Sequence, residues 1–532
     1  MFHKVRFIAA AAISALALAA AVPLRAETPP DTLIQAWAID DIISLDPAEV
    51  FEISASEILG NSYQRLITYD VNDVSKLSGE IAESWTVSDD GLTLSFTIRP
   101  GQKFASGNPI TAADAVFSLQ RVVKLDKSPA FILTQFGLTA DNVEEMVKQT
   151  GDMTLDFKMD KPYAPTFVLY CLTATVGMIV DKELVTSHEA DGDFGYNWLK
   201  TNYAGSGPFT IREWRANESL VMERNDNFVG DKPVIAREIY RHIPEATTQR
   251  LLVEQGDIDI ARNLGAEDIA ALSTNPDIAV ESGVKGTIYY LGLNQKNEFL
   301  AKPQVRQAMK YLVDYAAIAD TIMKGKAKVH QTFEPEGFLG ALDSNPFALD
   351  VEKAKALLAE AGLPDGFSVT MDTRNTGDVT DMATAIQQTM ALAGITVELI
   401  PGDGQQTLTK YRARTHDIYI GVWGPDYQDP NSNADTFARN PDNSDEAKSK
   451  PLAWRNAWDI PEMSAMTDSA VLERDAAKRT EIYQTLQAQS QEVSPFVIMF
   501  QQIEVIARRT NVHGFVIGPS FNDNSFKGVS KE

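Results

Sequence analysis

The stretch GVWGPDYQDP (421–430) gathers four residues able to act on a ligand together: Trp423, Asp426, Tyr427 and Asp429. The alternating apolar run HDIYI precedes it and the polar NSNADTF follows. A strand therefore delivers two carboxylates and two aromatic rings into a Gly/Pro-rich turn. Such a set can hold a cation or an amine against an aromatic wall. Asp, Pro and Gly are equally the ordinary residues of turns, and Asp429, directly before Pro430, reads as the turn residue.

The chemistry missing elsewhere narrows the choice. His3, His188, His242, His330, His416 and His513 stand singly, without metal-ligand spacing or a cysteine cluster, so no metal site is expected. Neither a G-x-S-x-G elbow, a P-loop nor G-x-G-x-x-G occurs, and no cofactor is implied. The nearest serine among glycines is GSGPF (205–209), which has the wrong spacing. With 73 acidic residues a paired-carboxylate hydrolase stays open. The balance of residue types nonetheless points to binding rather than catalysis, so the chain is not expected to be an enzyme.

The elements that must position these residues belong to a chain of 532 residues, too long for a single core. Residues 1–26 read as a signal peptide: Lys4 and Arg6, then IAAAAISALALAAAV, then Ala26 as a cleavage point, with no following Cys for lipid attachment. That places the mature chain in the periplasm. Losing Lys4, Arg6 and Arg25 takes the net charge from −25 to −28, a surface that repels nucleic acid. Cys171, the lone cysteine, reads as a small buried hydrophobe.

Along the chain, TLIQAWAI, LTLSFTIR, TLDFKMD and SLVMERND alternate as half-buried strands, and Thr111 is placed to cap a helix beginning TAADAVFSLQRVV. Beyond residue 290 the pattern becomes strand–helix–strand. The spacing predicts one long helix over 303–323, another over 350–362 closed by Gly362, and a last over AKRTEIYQTLQAQSQEV. This is an α/β chain whose two lobes share two crossover strands, near 284–292 and 495–506, around a hinged cleft.

Several segments carry a family resemblance. IAESWTVSDDGLTLSFTIRPGQKFASGNPITAADAVFSLQRV (81–122), GSGPFTIREWRANESLVMERNDNFVGDKP (205–233), QRLLVEQGDIDIA, YLGLNQKNEFLAKPQVRQAMKYLVDYAAI, VEKAKALLAEAGLPDGFSV and GVWGPDYQDPNS follow one another as landmarks. Together they resemble the extracellular solute-binding proteins of family 5, the dipeptide- and oligopeptide-binding group. The resemblance spans essentially residues 30–510. It implies a two-lobed periplasmic binding protein of the cluster C type, with an extra subdomain in lobe I. Lobe I would cover 27–290, the subdomain roughly 75–205, lobe II 291–500, and 501–532 would return to lobe I. It implies a monomer that captures a dipeptide or short peptide and docks on an inner-membrane ABC permease. Relatives also bind nickel complexes, haem, glutathione, oligosaccharides and opines, so a non-peptide zwitterion such as an opine, or a sugar conjugate, is the alternative solute.

The resemblance further implies site residues. Asp426 sits where peptide-binding relatives pair a carboxylate with the ligand ammonium, with Trp423 and Gly424 beside it. Arg374 corresponds, across a one-residue gap, to an arginine that holds the ligand carboxylate. Ile420 occupies the place of the arginine that larger-peptide binders use, and Pro425 removes a backbone donor. In VFEIS (50–54), Phe51, Glu52 and Ile53 fall on a cleft-lining loop. Alternation points one ring of the Tyr289–Tyr290 pair at the cleft and the other into a lobe core, and Tyr289 is taken as the cleft residue.

Overall fold

A computed structural model describes residues 28–532 apart from 376, 448, 521 and 522. The segment read as a signal peptide lies outside the described residues. Among those described, no helix is long and apolar enough to cross a membrane.

The two longest strands, Ile278–Leu293 and Phe496–Arg509, lie side by side, antiparallel, at the centre of an eleven-stranded mixed sheet. On one flank the order is Ile418–Trp423, Ser368–Arg374 and Thr396–Gly402, the last two parallel and joined by helix Gly377–Ala391. On the other flank come Ile260–Ala261, Thr32–Trp37, Arg237–His242, Ser219–Arg224 and Phe209–Arg215. Parallel strands linked through a helix need a crossover over the sheet face, so each flank acquires its own helical layer. The molecule is thus two-lobed, and the two long strands belong to both lobes.

Their pairing is not continuous. Register runs from Ile278↔Arg509 to Val284↔Ile503, then shifts before Ile288↔Gln501. A local break of this kind bends and twists a strand pair. Here it coincides with the passage from one lobe to the other. Lys285, beside the break, donates to the carbonyls of Gly518 and Ser520 at 2.6 and 2.8 Å and ion-pairs with Glu504 at 3.0 Å. Glu504 also takes Arg262 Nη2 at 2.5 Å, while Arg262 grips both Glu57 oxygens at 2.8 Å and lies 4.2 Å from the Trp37 ring centre. Burial opposes ionisation of Glu504, but Arg262 and Lys285 outweigh it and hold the carboxyl well below its usual range.

A separate four-stranded antiparallel sheet, Ala82–Val87, Thr93–Ile98, Thr154–Lys158 and Val147–Gly151, packs with helix Ala112–Leu125 around its own apolar core. Thr111 opens that helix, its N–H donating to Asp114 at 2.9 Å. Cys171 is buried in this core.

One expectation is corrected. The helix read over 303–323 is two helices, Pro303–Lys310 and Tyr315–Asp320. The Asp314 carboxylate accepts the Ala317 N–H at 3.1 Å and starts a new helix in the middle of the apolar pattern.

Removing Arg262 leaves Glu57 without its buried cation and Glu504 with Lys285 alone. Arg262→Met should therefore lower stability by about 3–5 kcal/mol, measured by chemical denaturation. An unchanged midpoint would show that the network contributes nothing.

Candidate ligand-binding site

Strand Ile418–Trp423 pairs with Ile278–Leu293 so that Tyr290 faces Gly421. A Cβ on Gly421 would stand 2.4 Å from the Tyr290 ring, so the close crossing requires glycine. The chain then leaves the sheet, turns through residues 424–430 and enters helix Asn431–Phe437. Trp423 is fixed by its indole N–H donating to Asn433 at 3.0 Å and by the edge of Phe437 at 6.3 Å.

The two aspartates of this turn have opposite fates. Asp429 is fully buried and takes Arg479 through two contacts of 2.6 and 2.7 Å. Arg479 also donates to the Ala470 carbonyl at 3.0 Å and to Tyr483 at 3.1 Å. Asp429 does serve the turn, accepting the Asn431 N–H at 2.9 Å, but its larger part is this buried bidentate pair. The reading of Asp429 as simply a turn residue is corrected accordingly.

Asp426, three residues earlier, is half-buried, and its N–H donates to Ser432 Oγ at 2.8 Å. Its carboxylate has no ion-pair partner among the described residues. Burial, and secondly the nearby Asp435, push its pKa up to about 7, with Arg455 opposing. A carboxylate held in this way favours any cation brought to it.

Asp426, Trp423, Arg374 and Phe51 all line one cavity of about 640 Å³. Phe51 lies edge-on to Phe131 at 6.1 Å; both precede the strand Ile278–Leu293, whereas Arg374, Trp423 and Asp426 follow it, so the cavity is walled by both parts of the chain. A second cavity of about 500 Å³ adjoins it and shares Phe131, Tyr427, Asp435 and Ser449. Asn431 lines this second cavity and is buried, with its side-chain oxygen unpartnered.

The structure does not bring Glu52, Ile53, Gly424 or Tyr289 into either wall. Glu52 precedes helix Ile53–Ser62 and accepts the Phe51 N–H at 3.2 Å, and Ile53 points to solvent. Tyr289 is corrected: its ring packs on the core of lobe II, and Tyr290 lines the cavity instead. Adjacent residues of a strand face opposite ways, and the close approach at Gly421 decides which ring is which. Sequence reasoning missed Phe131, Arg412, Lys450 and Arg455 in the first cavity. No local motif marks them, because they arrive from three separate segments, Lys450 and Arg455 sharing one.

The family model described as bacterial extracellular solute-binding proteins, family 5 middle, matches residues 76–445. The chain belongs to that family. Its members and structural neighbours are binding proteins of ABC transporters rather than enzymes. A relative from Escherichia coli K12 named "Probable D,D-dipeptide-binding periplasmic protein DdpA" is 29% identical over 511 residues, covering 95% of each chain. The Helicobacter pylori periplasmic binding protein DppA, solved with the peptide STSA, matches with a TM-score of 0.79 at 24% identity. That match covers 94% of this chain and 98% of the other and shows the fold. AgaA of A. tumefaciens R10, solved with agropinic acid, has a TM-score of 0.75 and 25% identity, covering 94% and 99%.

The two aspartates should separate in stability. Asp429→Asn leaves Arg479 charged and buried, and should destabilise the ligand-free family 5 protein by about 3–5 kcal/mol. For Asp426 the folded state binds the proton more tightly than the unfolded chain. The stability it contributes is present at low pH and lost as pH rises from 3.8 to about 7. Asp426→Asn should remove that pH-dependent loss. Melting of both variants between pH 4 and 8 checks this, and a wild-type melting point for Asp429→Asn would refute the ion pair's role.

Proposed function

We propose that this protein is the periplasmic solute-binding component of an ABC importer, exported by its signal peptide. It captures a dipeptide or short peptide between its lobes and delivers it to an inner-membrane permease as a monomer. One observation carries the reading: an Asp426 carboxylate and an Arg374 guanidinium, neither with an ion-pair partner among the described residues, line the same interlobe cavity beside the Trp423 indole. A zwitterion brings the ammonium and the carboxylate that these two groups lack, and the indole covers its apolar part. The arginine fork suits a planar carboxylate better than a lysine would.

The capture step follows from the electrostatics. As the lobes close, water leaves the cavity and the ammonium–carboxylate attraction strengthens. A solute without the ammonium leaves Asp426 desolvated and unpaired, so discrimination is built into closure. The shared strands carry the motion, because each is hydrogen-bonded in both lobes and breaks register between them.

A second reading, a non-peptide zwitterion such as an opine, is favoured by the additional cations of the cavity and by the AgaA likeness.

Asp426→Asn keeps the shape and removes the charge, and should weaken binding of an amino-terminal peptide by about 30- to 4000-fold, or about 2–5 kcal/mol. Affinity of the wild type should rise with pH until about 7, since the neutral acid must lose its proton to pair with the ammonium. Calorimetric titration with dipeptides, together with mass spectrometry of solutes released from the purified protein, tests both statements. Normal binding by Asp426→Asn, or hydrolysis of the bound solute, would overturn the reading.

A further inference from the structure

The cations around the cavity divide into two groups. Those set back from it are partnered: Lys410 with Asp372 at 2.8 Å, Arg414 with Asp445 at 3.0 Å, and Arg439 with Asp435 and Asp468 at 3.1 and 2.6 Å. Those lining it are not. Arg374, Arg412, Lys450 and Arg455 have no carboxylate partner among the described residues. Arg455 donates only to the Lys450 carbonyl, at 3.3 Å, and lies 5.6 Å from the Tyr411 ring centre. Lys450 lies 4.7 Å from the Trp454 ring centre.

The chain has 73 acidic residues against 48 basic ones, so carboxylates to neutralise these side chains are plentiful. Arg412 and Arg455 instead line the same wall, with the Arg455 guanidinium 5.6 Å from the ring of Tyr411, the residue directly before Arg412. Burial first, and Arg455 second, disfavour the charge on Arg412. Each is the last residue of a helix, Gly404–Arg412 and Leu452–Arg455. A helix C-terminus eases the cost of holding a cation but does not neutralise it. Two guanidiniums without carboxylate partners in one cavity wall repel one another until an anion binds there. Arg374 already accounts for the single carboxylate of a plain dipeptide. The Arg412–Arg455 pair is left over.

We propose that Arg412 and Arg455 bind a second anionic group, so that the site selects amino-acid conjugates carrying two or more carboxylates. This rests on the reading of the cavity as a zwitterion site and narrows its solute class. Two sources supply that chemistry: a dipeptide with an acidic side chain, and an N-carboxyalkyl amino acid of the opine kind.

The test titrates the wild type and the double variant R412Q/R455Q with alanyl-alanine, alanyl-glutamate and N-(1-carboxyethyl)glutamate. The wild type should bind at least one acidic solute about tenfold or more tightly than alanyl-alanine at low salt, with the margin shrinking as salt rises. Whichever acidic solute binds more tightly identifies the source. In the double variant the acidic-to-neutral affinity ratio should fall by about tenfold or more. Equal wild-type affinities, or a ratio unchanged in the double variant, would overturn the proposal and leave the short-peptide reading standing. Failure of all three solutes to bind would overturn both.

Discussion

Two strands that must each satisfy their hydrogen bonds in both lobes set the terms for everything else in this molecule. Because Ile278–Leu293 and Phe496–Arg509 pair with one another almost throughout, neither lobe can rotate freely about a flexible linker. The pairing is interrupted between Val284 and Ile288 and again between Tyr289 and Tyr290. The backbone groups freed by the first interruption find partners outside the ladder: the Gly286 N–H donates to the Pro519 carbonyl at 2.6 Å, and Gln501 Nε2 donates to the Lys285 carbonyl at 2.9 Å. Beside it Lys285, Glu504, Arg262 and Glu57 form a buried charge network. Buried charges of this kind are costly unless fully matched. Here the matching ties the hinge to the C-terminal segment as well, through Lys285 and Asn524 at 2.7 Å.

The cleft shows the opposite treatment of charge. Asp429 and Arg479 neutralise each other when the chain folds, whereas Asp426 and the arginines of the cavity wall remain uncompensated. The difference separates an ion pair completed on folding from cavity-wall charges left without an ion-pair partner among the described residues. Three positions along one turn are enough to pass from one kind to the other.

Much of this was legible in the sequence, and the illegible part has a common cause. Strand alternation and helix periodicity are local, so Thr32–Trp37, Ser219–Arg224 and Ala476–Val493 could be read directly. The break at Asp314 was hidden because the apolar spacing continues across it while one side-chain cap interrupts the backbone. The importance of Asp429 was hidden because its partner lies 50 residues away. Alternation announced that Tyr289 and Tyr290 diverge, but only the contact with Gly421 says which one faces the cleft. The guanidiniums of Arg412 and Arg455 belong to helix ends that look like ordinary solvated surface until the fold brings them together.

Tyr427 gives the turn a further meaning. It leaves lobe II, yet its ring is buried in the apolar core of the small lobe I subdomain, 6.0 Å from Phe167. Close by, the Ala164 N–H donates to the Val471 carbonyl at 2.8 Å. The subdomain is therefore latched to the lobe that faces it across the cleft. For the cleft to open, either an aromatic ring must be drawn out of a packed core, or the subdomain must travel with lobe II as one rigid body. In the first case the latch sets a floor on the residence time of any solute, independent of how well that solute fits. In the second, the mechanical boundary of the moving part does not coincide with the boundary of the sheet.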